Sequence, residues 1–240
     1  MEPNAFETVG GTPLTAVTAD EMAAVDRVAT DTVGLPLYSM MENAGRNLAS
    51  VVHERRAERP VVVFAGGGGN GGGGFACARH LLNRDVPVTV VADRPASETT
   101  GAAGTQRQIL EAAGATLRDE PPPLDGRLAV DALVGYGLTE ALCGAAADLA
   151  AACSEAEEVI SLDVPTGVNA TTGSVPGVAV DADTTLTLAL PKTGLGPNAG
   201  ELLLGDIGIP ASVYGRLEIP YESPFETYVV PIRRPERHAT

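Results

Sequence analysis

Two kinds of apolar pattern alternate along the chain. "PVVVFA" (60–65) is short and continuously apolar, as expected of a strand buried on both faces. "VPVTVVAD" (86–93) and "RLAVDALVG" (127–135) are mostly apolar and read as further strands, and "EVISLDVPTG" (158–167) as a strand and turn. "ADTTLTLAL" (182–190) and "ELLLGDIGIP" (201–210) read as later strands. Between them lie the helical stretches "FACARHLLNR" (75–84), "GTQRQILEAAGA" (104–115) and "EALCGAAADLAAACSEA" (140–156). Two helices are predicted ahead of the first strand. Residues 18–34 open on a capping box, Thr18 with Glu21, place Met22, Val25 and Val28/Ala29 on one face, and stop at Gly34. Residues 35–60 end in an Arg-rich turn suited to the negative end of the helix dipole.

Strands alternating with helices predict right-handed βαβ units, hence an α/β fold with a mainly parallel sheet and helices on both faces. Residues 1–17 read as an irregular lead-in and 18–240 as a single α/β domain. "DEPPPLDGR" (119–127) is a loop inside it, and the tail from Ser223 is partly irregular.

Charge narrows the function classes. There are 31 acidic residues against 16 basic ones, a formal net charge of −15, and Lys192 is the only lysine. Such a surface repels nucleic acid and anionic membranes and suits concentrated salt, which screens self-repulsion. No apolar stretch is long enough to suggest a membrane span, and the N-terminus lacks the pattern of a signal peptide. A cytoplasmic protein is expected. Cys77, Cys143 and Cys153 are odd in number, form no CxxC, and read as buried reduced thiols. His53, His80 and His238 are scattered and read as surface or helix-end residues.

The candidate chemistry sits where ligands bind in open α/β sheets, at the carboxyl ends of strands. Residues 66–74 are glycine at every position but Asn70, directly after one strand and before a helix. Such a loop lets backbone approach an anion closely. Asp131 and Asp163 end two further strands, followed by "GYG" and "VPTG". Two carboxylates crowded against that loop need a cation or a proton between them. Asn70, Asp131 and the Thr166 hydroxyl are hard oxygen donors, suited to an alkali or alkaline-earth ion. Asp93, about 20 residues past the loop, would suit a nucleotide ribose. Lys192 reads equally as a point charge near a phosphate or as a solvated loop residue.

"TADEMAAVDRVATDTVGLPLYSMMENAGRNLA", "GGGGNGGGGFACARHL", "DALVGYGL", "LDVPTGVNATTG" and "ADTTLTLALPKTGL" follow one another at a spacing that resembles the YjeF N-terminal domain, the NAD(P)H-hydrate epimerase family, over about residues 18–208. "MENAG" and the "DVPTG…ATTG…PKTGL" series carry the specificity. The resemblance implies a Rossmann-like three-layer αβα sandwich, usually dimeric. It also implies an isomerase that repairs nicotinamide cofactors hydrated at C6 (NADHX and NADPHX), with one bound potassium ion. A separate NAD(P)HX dehydratase would act on the product.

Carried over by position, the resemblance puts Asn70, Asp131 and Thr166 on potassium. It puts Gly69, Asn70, Gly71, Gly72 and Gly73, with Gly135, Tyr136, Gly137, Leu138 and Thr139, on the substrate. Asp163 becomes the catalytic acid–base group, also touching substrate. The family's loop has Asn at Gly69 and Asp at Gly73, and a small hydroxyl residue at Tyr136. An active epimerase and a nucleotide-binding relative without that activity both remain open. An NAD-dependent oxidoreductase is a remote third reading, lacking a catalytic Tyr-Lys or His constellation.

Overall fold

The computed structural model describes residues 6–234. Ten strands form one sheet in the order β2-β1-β10-β9-β8-β7-β6-β3-β4-β5. Its parallel part comprises β3 (Val61–Ala65), β4 (Val88–Ala92), β5 (Thr116–Arg118), β6 (Leu128–Ala132), β7 (Glu158–Leu162), β8 (Thr184–Leu188) and β9 (Glu201–Gly205). The chain starts this part at β3 and adds β4 and β5 on one side. It then crosses to β6 on the other and continues to β9. The direction reverses between β3 and β6, so their carboxyl ends flank the crevice where an α/β sheet binds ligands.

Every residue of β3 is fully buried, as its apolar run predicts. Val61, Val63 and Ala65 pack with α2 (Leu37–Arg55) and α3 (Gly69–Leu82), whereas Val62 and Phe64 pack with α5 (Gly144–Cys153). α4 (Gly101–Ala112) adds Leu110 to the first of these layers. Helices therefore cover both faces, giving the expected three-layer α/β fold.

Several expectations are corrected. The lead-in is not irregular over Phe6–Leu14. β1 (Phe6–Thr8) pairs with β10 (Val229–Arg233) in the tail, and β2 (Pro13–Leu14) pairs with β1, all antiparallel. The helix over 18–34 is α1 (Ala19–Arg27), capped by the Thr18–Glu21 box, and then widens to a π-helix over Val28–Val33. It stops at Gly34 with φ +80°, as expected. Helix α6 (Ala211–Arg216) and strand β5 lie where no element was predicted. Cys143 is exposed, not buried, because α5 begins after it, at Gly144. His80, as expected of a helix-end residue, lies in the last turn of α3, where it is bonded to Glu42 of α2, and His238 lies outside the described residues.

The largest correction concerns the glycines. Only Gly66–Gly68 form a loop, and α3 starts at Gly69. Glycine weakens a helix by up to about 1 kcal/mol per residue, so packing must override propensity here. A Cβ on Gly71 would lie 1.6 Å from the Gly66 carbonyl oxygen, and one on Gly74 2.7 Å from the Ala132 Cβ. Gly45 of α2 would meet the Ala76 Cβ at 2.4 Å. The glycines let α3 lie almost backbone to backbone against the sheet and α2.

Candidate active site

The crevice opens into a cavity of about 710 Å³. Its walls come from four strand ends and from α1 and α2. After β3 come Gly67, Gly68, Gly69 and Asn70; after β4, Asp93 and Arg94; after β6, Leu133 to Gly137; after β7, Asp163. Met22 and Asp26 of α1 and Met40, Met41 and Ala44 of α2 supply much of the opposite wall.

Asp163 occupies the left-handed region, φ +68°, uncommon for a residue with a side chain but best tolerated by Asp and Asn. This twist at the end of β7 drops its carboxylate into a ring of donors. The Tyr136 amide reaches Oδ2 at 3.1 Å and the Leu188 amide Oδ1 at 3.3 Å. The Lys192 ammonium forms an ion pair with Oδ1 and donates to the Leu188 carbonyl at 2.8 Å. Lys192 is 1 % exposed and Asp163 3 %. Lys192 is thus neither solvated nor free for a phosphate.

Asp131 is fully buried and separately satisfied. It accepts from the Thr166 hydroxyl (2.6 Å) and amide (2.8 Å), the Ser161 hydroxyl (2.8 Å) and the Leu133 amide (3.2 Å). Burial raises its pKa and the four hydrogen bonds oppose that. The crowding argument for a shared cation therefore fails: Lys192 neutralises Asp163, and donors surround Asp131.

At the head of α3 the Asn70 amide nitrogen is buried without a hydrogen-bond partner; as a donor it calls for an acceptor, and the amide oxygen of the same side chain is the atom a cation would take. The Thr166 hydroxyl has a second acceptor in the Val134 carbonyl at 3.1 Å, so its proton can turn from Asp131 and leave the oxygens open. These three hard-oxygen donors fit an alkali cation. Among the described residues no group of three or more His, Cys, Asp and Glu side chains gathers as a metal site.

Of the residues expected on substrate, Gly69, Asn70, Gly135, Tyr136, Gly137 and Asp163 line the cavity. Gly71, Gly72 and Gly73 are not among its lining residues; they are buried under Gly66, Met41 and Leu162. Leu138 and Thr139 are not among the lining residues either. The fold adds Asp26, whose carboxylate accepts the Tyr136 hydroxyl. Burial raises the pKa of both Asp26 and Tyr136. The Lys192 ammonium lies 5.9 Å from the Tyr136 ring centre. A tyrosine and a lysine do meet here, but the hydroxyl is engaged by Asp26 and the ammonium by Asp163. Nothing in the sequence marked Asp26. For Lys192 the signal was its being the sole lysine in an arginine-using chain.

A family model described as YjeF-related protein N-terminus matches residues 37–194. A protein of Dehalogenimonas lykanthroporepellens named NAD(P)H-hydrate epimerase is 45% identical over 231 residues, 92% of this chain and 93% of that one. One of Rhodopirellula baltica with the same name is 34% identical over 86% of this chain and 89% of its own length. The Bifunctional NAD(P)H-hydrate repair enzyme Nnr of Salinibacter ruber is 37% identical, and there the match spans 42% of the longer protein. The crystal structure of yeast ynu0 shares the fold, with a TM-score of 0.78 at 22% identity, covering 91% of this chain and all of that one. The strand order, the glycine-headed α3 and the Asp163 turn thus belong to a protein of the YjeF-related N-terminus family.

Proposed function

We propose that this chain is an NAD(P)H-hydrate epimerase, an isomerase interconverting the R and S hydrates of NADH and NADPH at C6 of the nicotinamide ring. The observation that carries the mechanism is the buried Lys192–Asp163 ion pair on the cavity wall. C6 of the hydrate is a carbinolamine carbon, bonded to a hydroxyl and to the ring nitrogen. Lys192 gives a proton to that hydroxyl, the C–O bond breaks, water leaves, and the ring nitrogen holds the positive charge as an iminium. Water adds to the opposite face and loses its proton to Asp163, which returns it to Lys192. The apolar wall of Met22, Met40 and Met41 limits bulk water, and positioned acid–base catalysis of this kind contributes about 10²–10⁴-fold.

Asn70, Asp131 and Thr166 would hold potassium, which supplies a fixed positive charge near the reacting ring and no redox chemistry. Support comes from the chemistry of the three side chains, each of which offers a hard oxygen. Its check does not depend on turnover: at equal ionic strength, KCl should raise the melting temperature above NaCl, and Asn70→Ala should remove the difference. A homodimer, a cytoplasmic site and a separate dehydratase partner belong to this reading too; the two-function name of the Salinibacter ruber relative supports the last.

The decisive experiment incubates purified protein with the R epimer of NADHX in KCl and follows the S epimer by chromatography against the spontaneous rate. Acceleration proportional to protein concentration is expected. A folded protein that binds NADPH analogues without acceleration would instead be a nucleotide-binding relative, the reading that Gly69 and Gly73 favour.

A further inference from the structure

Asp93 and Arg94 follow β4 and line the same cavity, yet neither has a part in the chemistry above. The arrangement is rigid. Arg94 grips Asp93 bidentately, Nε to Oδ1 and Nη2 to Oδ2, both at 2.8 Å. Its side chain lies across Gly67, where a Cβ would come within 2.4 Å of Cδ and Nε. Only a glycine in the β3–α3 turn admits the guanidinium there. The Asp93 side chain is 3 % exposed and the Arg94 side chain 44 % exposed. The carboxylate is thereby spent, while Nη1 of the guanidinium makes no hydrogen bond and Arg94 lines the cavity.

We infer that Arg94, braced by Asp93 and Gly67, binds the 2′-phosphate on the adenosine ribose of the substrate, so that the chain prefers NADPHX to NADHX. The inference rests on the epimerase reading for the direction in which the dinucleotide lies. In a βαβ unit that binds a dinucleotide, the residue ending the second strand faces the adenosine ribose: a free carboxylate takes its 2′-hydroxyl, and an arginine accommodates a 2′-phosphate. β3–α3–β4 is that unit here, and Asp93 is that residue. Both Asp93 oxygens are engaged, so the ribose hydroxyl finds no free acceptor, whereas a phosphate finds an open, fixed guanidinium edge. Spacing agrees. In the order β7-β6-β3-β4, Asp163 and Asp93 end strands three steps apart, about 14 Å along the sheet edge. Nicotinamide and adenosine ribose lie at the two ends of a dinucleotide laid along that edge. Charge agrees as well, since a chain of net charge −15 must draw a polyanion to the site with few cations.

The test compares kcat/KM for NADPHX and NADHX in wild type, Arg94→Gln and Arg94→Lys, with melting temperatures measured in NADP+ and NAD+. The wild type should favour NADPHX by about tenfold or more, the scale of a charge-assisted contact. Arg94→Gln should collapse that ratio and Arg94→Lys should keep part of it. NADP+ should raise the melting temperature more than NAD+ in the wild type only. A ratio that Arg94→Gln leaves unchanged, or an equal loss on both substrates, would overturn the inference and leave the epimerase intact. If neither substrate turns over, the epimerase reading falls, and the difference between NADP+ and NAD+ still decides what Arg94 binds.

Discussion

Lys192 and Asp163 are both almost fully buried, so removing either partner strands a charge. Losing one side of such a pair costs about 3–5 kcal/mol, and a protein of this size loses roughly 2–4 °C of melting temperature per kcal/mol. Lys192→Met should therefore lower the melting temperature by about 10 °C and abolish acceleration of epimerisation, measured by calorimetry and product chromatography. Asp163→Asn keeps the shape and an acceptor but leaves the Lys192 charge uncompensated, so it should also melt lower by several degrees while turnover falls at least about 10²-fold. Turnover within twofold of wild type would remove Asp163 from the mechanism. The pair itself was illegible in the chain. Its members lie 29 positions apart, and they meet because Asp163 adopts a left-handed backbone that no composition rule predicts.

At the scale of elements, propensity and packing disagree in α3, and packing wins. Gly71→Ala should unfold or misfold the protein, since its methyl would sit inside the Gly66 carbonyl; solubility and far-UV circular dichroism read this directly. Gly69→Asn, which restores the family's residue, meets only the Met41 Cε at 3.8 Å and should fold normally. Gly73→Asp must push aside the Leu162 side chain, 2.7 Å from the new Cβ, and should melt lower. The strands β3, β4, β6 and β7 were legible because burial on both faces leaves them mostly apolar. β1, β2 and β10 were not: β1 and β2 have only three and two residues, and β10, buried at alternate positions, finds β1 more than 200 positions away. The helix α3 starts six residues before the expected one, because its glycines speak for a loop until the atoms they avoid are known.

A second inter-element device clamps α2, α3 and α4. Glu42 accepts from Arg79 at 2.6 Å, from Gln106 at 3.1 Å and from His80 at 2.8 Å. Burial alone would raise the Glu42 pKa; hydrogen bonds from Arg79, Gln106 and His80 overcome that and hold it below the ordinary 4.5. Burial also lowers His80 from its ordinary 6.5, against the pull of Glu42. In both cases the unfolded chain binds a proton more readily than the native one, so stability falls as pH drops. The loss begins near pH 6.5 through His80 and deepens below about 4.5 through Glu42. Chemical denaturation across that range should show the slope, and Glu42→Gln should flatten its lower part while lowering stability at pH 7.

Over the whole molecule, acidic residues outnumber basic ones 31 to 16, yet the cavity wall is balanced: Asp26, Asp93 and Asp163 face Arg27, Arg94 and Lys192. Salt should therefore act on the surface more than on the site. Raising KCl from 0.1 to about 1 M shrinks the screening length from about 10 to 3 Å and should raise the melting temperature.

The pairing of β1 with β10 has a consequence for synthesis. β1 cannot take its place between β2 and β10 until Val229–Arg233 has emerged. Until then β9, with Leu202, Leu203 and Leu204, borders the growing sheet with one row of backbone groups unmatched. A nascent protein halted just short of Val229 is thus a sticky intermediate, and the docking of β10 between β9 and β1 is the step that makes it safe in a crowded cell.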